Sequence, residues 1–182
     1  MTKVLVAYAS RTGSCVGIAE VVAQVLRGSG LQVTAAPCSS VATVHGYDAV
    51  LVGSEVHGQR WLHEAVVFLD RHGHELALRP TWLFQCGHSE PDGTRRGCAP
   101  PRRVIRLVNR FGLRPPLTFA GRVDPRLTHH GSLEPPAGLG ADGRELTDAL
   151  RAWAQWCARA LLAGSAPGLS AELVAAGRSP AR

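Results

Sequence analysis

The sequence has no apolar run near the roughly 20 residues that a membrane-spanning helix needs. The apolar stretch that opens at Val4 is also too short for the core of a signal peptide. A cytoplasmic protein is the expectation. Cysteine is sparse: five residues, Cys15, Cys38, Cys86, Cys98 and Cys157, odd in number and widely spaced, with no Cys-x-x-Cys. That pattern argues against a disulfide framework or a zinc site, and Cys38 and Cys157 read as plain buried thiols. The adjacent histidines His129 and His130 come without a His-Glu-x-x-His helix or a carboxylate set, so no metal is expected. Gly-x-Ser-x-Gly is absent, and no Ser-His-Asp order can be read. No helix-turn-helix or RNA-binding signature occurs, so no nucleic-acid partner is expected.

What is present is a chain of 182 residues, 45% hydrophobic and 19% charged, a composition and length suited to one domain with a sizeable core. The net charge is +6, and the excess is local. Residues 88–110 hold six arginines, Arg95, Arg96, Arg102, Arg103, Arg106 and Arg110, against Glu90 and Asp92. Such a segment can attract an anionic ligand or an acidic membrane surface, or it is simply a solvated helix face.

Val4–Tyr8 is an uninterrupted apolar run, the pattern of a strand covered on both faces. Ser14–Leu26 repeats apolar residues at helical spacing, and Gly28 and Gly30 end it. Leu31–Ala35 and Tyr47–Ser54 read as further strands, followed by a helix from about Trp61 to Arg71. Thr81–Cys86 is the fourth strand, Val104–Phe111 a helix and Leu117–Gly121 the fifth strand. Glu145–Leu162 is a long amphipathic helix carrying Leu146, Leu150, Trp153, Cys157 and Leu161 on or near one stripe. The segments 87–103 and 124–140 are too long for routine connections. The domain is expected over 1–163, with 164–182 a loose tail. Strands alternating with helices imply a parallel sheet with helices on both faces. Ligands of such open sheets sit outside the carboxyl ends of the strands.

The first such end is Ser10-Arg11-Thr12-Gly13-Ser14-Cys15. A helix N-terminus presents unpaired amides and a partial positive charge. Small hydroxyl residues and a glycine let backbone wrap an anion closely. Ser10, Thr12 and Ser14 can donate to phosphate oxygens and Arg11 can add charge from the rim. The loop is neither a Gly-Lys-Ser/Thr P-loop nor Gly-x-Gly-x-x-Gly, since no lysine follows Gly13 and it has one glycine. Ser14 as an ordinary helix N-cap is the plain alternative.

This loop resembles the flavodoxin phosphate loop, Ser/Thr-x-Thr-Gly-x-Thr, with Cys15 at the last hydroxyl position. A thiol is the weaker donor, and at a helix N-terminus its pKa tends to fall. Gly53-Ser54, Gly58 and Trp61-Leu62, before a helix that ends in Phe68-Leu69, resemble the branch of menaquinone-dependent protoporphyrinogen oxidases. Phe111–Pro125 and the tryptophan-bearing last helix fit the same branch, so the resemblance runs over roughly residues 3–163. It implies a flavodoxin-like doubly wound, five-stranded sheet of order 2-1-3-4-5 and FMN as cofactor. Ser54, Glu55, Val56, His57, Gly58 and Trp61 would border the flavin ring from the third strand. Gln85, Cys86, Gly87, His88 and Ser89 would border it from the fourth. Trp61 either packs at the helix start or stacks on the cofactor. Cys86 is a catalytic thiol or a buried one, and Asp124 faces the substrate or caps a turn. His57 and His88 are the candidates for moving protons, imidazole being the side chain suited to that near neutral pH.

The resulting expectation is an FMN-dependent oxidoreductase acting on a quinone, porphyrinogen or similar small molecule. The alternatives are a flavodoxin-type electron carrier and a flavodoxin-like protein that has lost FMN. Electron carriers of this type usually dock through an acidic face, and this chain is basic. Peripheral contact with an anionic membrane and a homodimer stay open.

Overall fold

The computed structural model describes residues 1–87, 99–120 and 141–164, of which 87, 120 and 141–145 are described in backbone only. The chain order is β1 (Lys3–Ala9), α1 (Ser14–Gly28), β2 (Gln32–Pro37), a short 3₁₀ turn (Cys38–Ser40), β3 (Ala49–His57), β4 (Arg60–Trp61), α2 (His63–Ala77), β5 (Thr81–Gly87), α3 (Arg102–Phe111), β6 (Leu117–Ala120) and α4 (Ala141–Leu162). Five parallel strands follow the order β2-β1-β3-β5-β6, which is the expected doubly wound arrangement. The two-residue β4 is added to it, antiparallel to β3.

Side chains on a strand alternate between the faces of the sheet, and the core divides accordingly. Val4, Val6, Ala49, Leu51 and Phe84 pack with Ile18, Val22 and Leu26 of α1 and Leu150, Trp153 and Cys157 of α4. Leu5, Ala7, Val50, Val52 and Leu83 pack on the other side with Leu69 and Leu76 of α2 and Val104, Val108 and Phe111 of α3. The uninterrupted apolar runs of β1 and β3 follow from this, because both faces are covered. On the α4 side Trp153 meets Phe84 and Phe119 edge-on, with ring centroids 5.8 and 5.4 Å apart. Gly53 on β3 is required by Phe84 on β5: a Cβ at Gly53 would lie 2.0 Å from the Phe84 ring.

Element boundaries differ from those read in the sequence, α2 running on to Ala77 and α4 starting at Ala141, and two of the differences shape the site. The third strand runs on to His57, because Val56 and His57 pair with Trp61 and Arg60 across a tight turn. Gly58 and Gln59 make that turn with φ of 55° and 59°, the left-handed pair that matches the twist of a two-residue hairpin. Trp61 therefore belongs to β4, and α2 begins at His63 after Leu62. As a consequence Ser54 and Glu55 lie on a paired strand, opposite Gln85 and Cys86 of β5. The site edge of the sheet is thus rigid backbone up to those residues.

Candidate functional site

At the carboxyl end of β1 the chain turns through Ser10–Gly13 into α1. Gly13, with φ of 89°, is the residue before the helix, and no side chain caps that terminus. Its amide donates to Ser10 Oγ at 3.1 Å, and its carbonyl receives the first helical hydrogen bond from the Gly17 amide at 3.2 Å. The N-cap role open to Ser14 is not taken up. Ser14 Oγ lies 3.2 Å from Thr12 Oγ1 instead.

The donors of this loop converge on one anion, the carboxylate of Glu55. Ser10 donates its hydroxyl to Oε1. The Arg11 amide donates to Oε2 at 2.9 Å. The Thr12 amide is shared between the two oxygens, at 3.1 and 3.2 Å, and the Thr12 hydroxyl donates to Oε1 at 3.1 Å. Glu55 is 2% exposed, and no salt bridge to it occurs among the described residues. Burial alone pushes its carboxyl up. The hydrogen bonds from Ser10, Arg11 and Thr12 act in the opposite direction and together hold it below the ordinary glutamate value. Glu55 is therefore ionised at neutral pH, and among the described residues hydrogen bonds rather than a counter-charge compensate it.

Cys15 is turned away from this cluster. Its sulfur lies 3.0 Å from Cys86 Sγ, and both thiols are buried. The lowered pKa expected of a thiol at a helix N-terminus is reversed here. The hydrogen bond shared with Cys86 and then burial push Cys15 upward, because both oppose placing a thiolate in an apolar core. The hydrogen-bonding capacity left at Cys15 is its backbone amide, in the first turn of α1 where no intrahelical acceptor exists.

The remaining candidates separate into supports and surface. Ser54 Oγ accepts the Leu62 amide at 3.1 Å and donates to the Glu55 carbonyl at 2.9 Å, tying β3 to the start of α2. Trp61 is buried, and its indole N–H donates to Gln85 Oε1 at 2.9 Å. Gln85 Nε2 in turn donates to Thr118 Oγ1 at 2.9 Å, so Trp61 and Gln85 brace the ends of β3, β5 and β6. Trp61 thus packs between the strand ends and the start of α2. Val56 is buried in the hairpin, whereas Arg11, His57 and Gly58 are exposed. Gly87 closes β5 opposite Ala120. His88, Ser89 and Asp124 lie outside the described residues.

Beside the β3–β4 turn lies a cleft of about 1030 Å³, bounded by Gly58–Trp61, His63 and the first turns of α3. Arg60, Arg102, Arg103 and Arg106 line it, and no carboxylate does among the described residues. All four arginines are exposed and none is in an ion pair among the described residues.

The sequence reading placed Glu55 at the flavin ring and did not foresee its reach into the first loop. A signal was present. A carboxylate in the otherwise apolar and small-residue run Ala49–Val56 must find donors if that strand is buried on both faces. The nearest set of amides and hydroxyls is at the end of the neighbouring strand, where Ala9 pairs with Ser54.

Comparison with known proteins agrees with this architecture. A family model described as "Flavodoxin domain" matches residues 5–124. Among solved structures, rubredoxin oxygen:oxidoreductase from Desulfovibrio gigas is similar with a TM-score of 0.61 at 19% identity, over 90% of this chain. This chain spans 37% of the length of that protein. The flavodoxin of Streptococcus pneumoniae TIGR4 is similar with a TM-score of 0.59 at 20% identity, covering 87% of this chain and 99% of its own. Flavodoxin 2 of Bacillus cereus gives 0.59 at 18%, with the same two coverages.

Proposed function

The chain belongs to the flavodoxin-domain family, and on that premise we propose that it is an FMN-dependent oxidoreductase acting on a quinone, porphyrinogen or similar aromatic small molecule. The observation that carries this reading is the convergence of two amides and two hydroxyls on a single anionic group at the head of α1. A loop that holds a carboxylate in this way has the donors a phosphate needs. Gly13 suits a close approach, since no atom lies within 4 Å of the Cβ position it leaves vacant.

In this reading Ser10, Thr12 and Ser14 hold the phosphate with the amides of Arg11, Thr12 and the first turn of α1. Gly58 keeps the β3–β4 turn free of a side chain where the ring would approach. Trp61, Gln85 and Thr118 fix the strand ends beneath it. FMN, when bound, supplies one- or two-electron redox chemistry. His57, at the exposed end of β3, is the described residue suited to exchange a proton with substrate. The arginine-lined cleft next to that turn supports a substrate that carries acidic groups, which four exposed guanidinium groups would attract and orient.

The test is the visible absorption spectrum of the purified protein, repeated after FMN is added and the sample is desalted. Retained flavin bands, followed by turnover with a quinone, are the expected result. Glu55 favours one other reading, in which the loop stays closed on its own carboxylate and the flavin has been given up. A colourless protein that takes up neither FMN nor riboflavin would select that reading.

A further inference from the structure

We infer that Glu55 is an anionic latch on the phosphate cradle, competing with a ligand phosphate for the same donors and so setting the preference between phosphorylated and unphosphorylated flavin. The ligand named here rests on the flavin reading above. The latch itself rests on the hydrogen bonds alone.

The argument is one of exclusive use. An amide has one hydrogen and a hydroxyl has one. The Arg11 amide, the Thr12 amide and the hydroxyls of Ser10 and Thr12 all point to Glu55. A phosphate can recruit them only by displacing the carboxylate, because two anions in one site raise each other's cost of ionisation. The backbone of Glu55 is paired with Cys86 of β5, one residue past the Ala9–Ser54 pair that joins β3 to β1, so displacement falls to the side-chain rotors. A phosphate that enters gains four charge-assisted hydrogen bonds and breaks four others of the same kind. Its net advantage is therefore small. Riboflavin has no phosphate, does not need these donors, and does not meet this competition.

The experiment measures dissociation constants of FMN and riboflavin, by quenching of flavin fluorescence, for the wild type, Glu55→Gln and Glu55→Ala. Glutamine keeps an oxygen acceptor for the loop and removes the charge. Alanine removes both. In the wild type the two flavins are expected to bind within a factor of about 3 of each other, the phosphate gaining little. In both variants FMN should tighten by about tenfold or more while riboflavin stays within about threefold, as expected when a like charge leaves a site of charge-assisted hydrogen bonds. Thermal melting with inorganic phosphate reads the same competition without flavin. Added phosphate should raise the melting temperature of Glu55→Ala and leave that of the wild type unchanged.

If FMN binds no more tightly in either variant and phosphate stabilises neither, the latch is wrong. A wild type that already prefers FMN over riboflavin by orders of magnitude, with no gain on substitution, overturns it equally. If no variant binds either flavin but phosphate still stabilises Glu55→Ala selectively, the latch stands and the flavin reading fails. Should Glu55→Ala not fold without phosphate, Glu55→Gln carries the comparison through both measurements.

Discussion

Two charged regions flank the end of β3, and they treat charge in opposite ways. In the Ser10–Cys15 loop the buried Glu55 carboxylate is met by four donors, all from one short stretch of backbone and side chain. In the cleft bounded by Gly58 and α3, four arginines face solvent with no acid beside them among the described residues. The first region spends its polar groups on holding the fold. The second leaves its charge unspent. Substitutions in the loop should therefore change stability, and substitutions in the cleft should change only what binds.

The largest effect is expected from Glu55→Ala without added anion. Four donors lose their acceptor, and water reaches only some of them. Loss of a buried, charged hydrogen-bond acceptor costs about 2–3 kcal/mol, which for a chain of this size lowers the melting temperature by about 4–12 °C. Calorimetry checks it, and an unchanged melting temperature would show that the loop does not depend on Glu55.

Acid should produce the next largest effect. The carboxyl of Glu55 is held below its ordinary value in the folded chain. Its contribution is therefore complete above the unfolded glutamate value, about 4.3, and is lost as pH falls through the lowered folded value. The urea midpoint of the wild type should fall more steeply between pH 5 and 3 than that of Glu55→Gln, which has no proton to take up. Parallel curves would place the acid sensitivity elsewhere.

The cleft gives the contrasting result. Replacing Arg102, Arg103 or Arg106 by Ala should change stability by less than about 0.5 kcal/mol, since exposed charges contribute little. The same replacements should raise KM for an acidic substrate and weaken its dependence on salt. A loss of stability as large as that for Glu55→Ala would mean that these arginines are structural.

The smallest change is no change. Cys15, Cys38, Cys86 and Cys157 are buried, and burial pushes the Cys38 thiol up to about 12. These four should resist an aromatic disulfide reagent in the native state and react only after denaturant is added. Rapid native labelling of Cys15 or Cys86, read by mass spectrometry, would show that the floor of the loop opens.

Much of the architecture follows from local chemistry. The continuous runs Val4–Tyr8 and Ala49–Val52 are strands because both faces are covered. The spacing of Ile18, Val22 and Leu26 fixes the buried face of α1, as that of Leu146, Leu150, Trp153 and Cys157 fixes that of α4. The anion-binding character of Ser10–Cys15 was also legible, because hydroxyls and a glycine between an apolar strand and a helix have few other uses. The β3–β4 hairpin was not. Its turn places Gln59 at positive φ, which residue type does not announce, and Trp61 joins the strand because Gln85 and Val56 receive it. The occupant of the cradle was hidden for the same reason. Glu55 is 43 to 45 residues from its donors, and Cys15 is 71 residues from Cys86. Periodicity and turn chemistry are local quantities, carried by neighbours within a few positions. Which buried carboxylate meets which amides, and which thiol turns inward, depends on strand order and register, and those exist only once the sheet has closed.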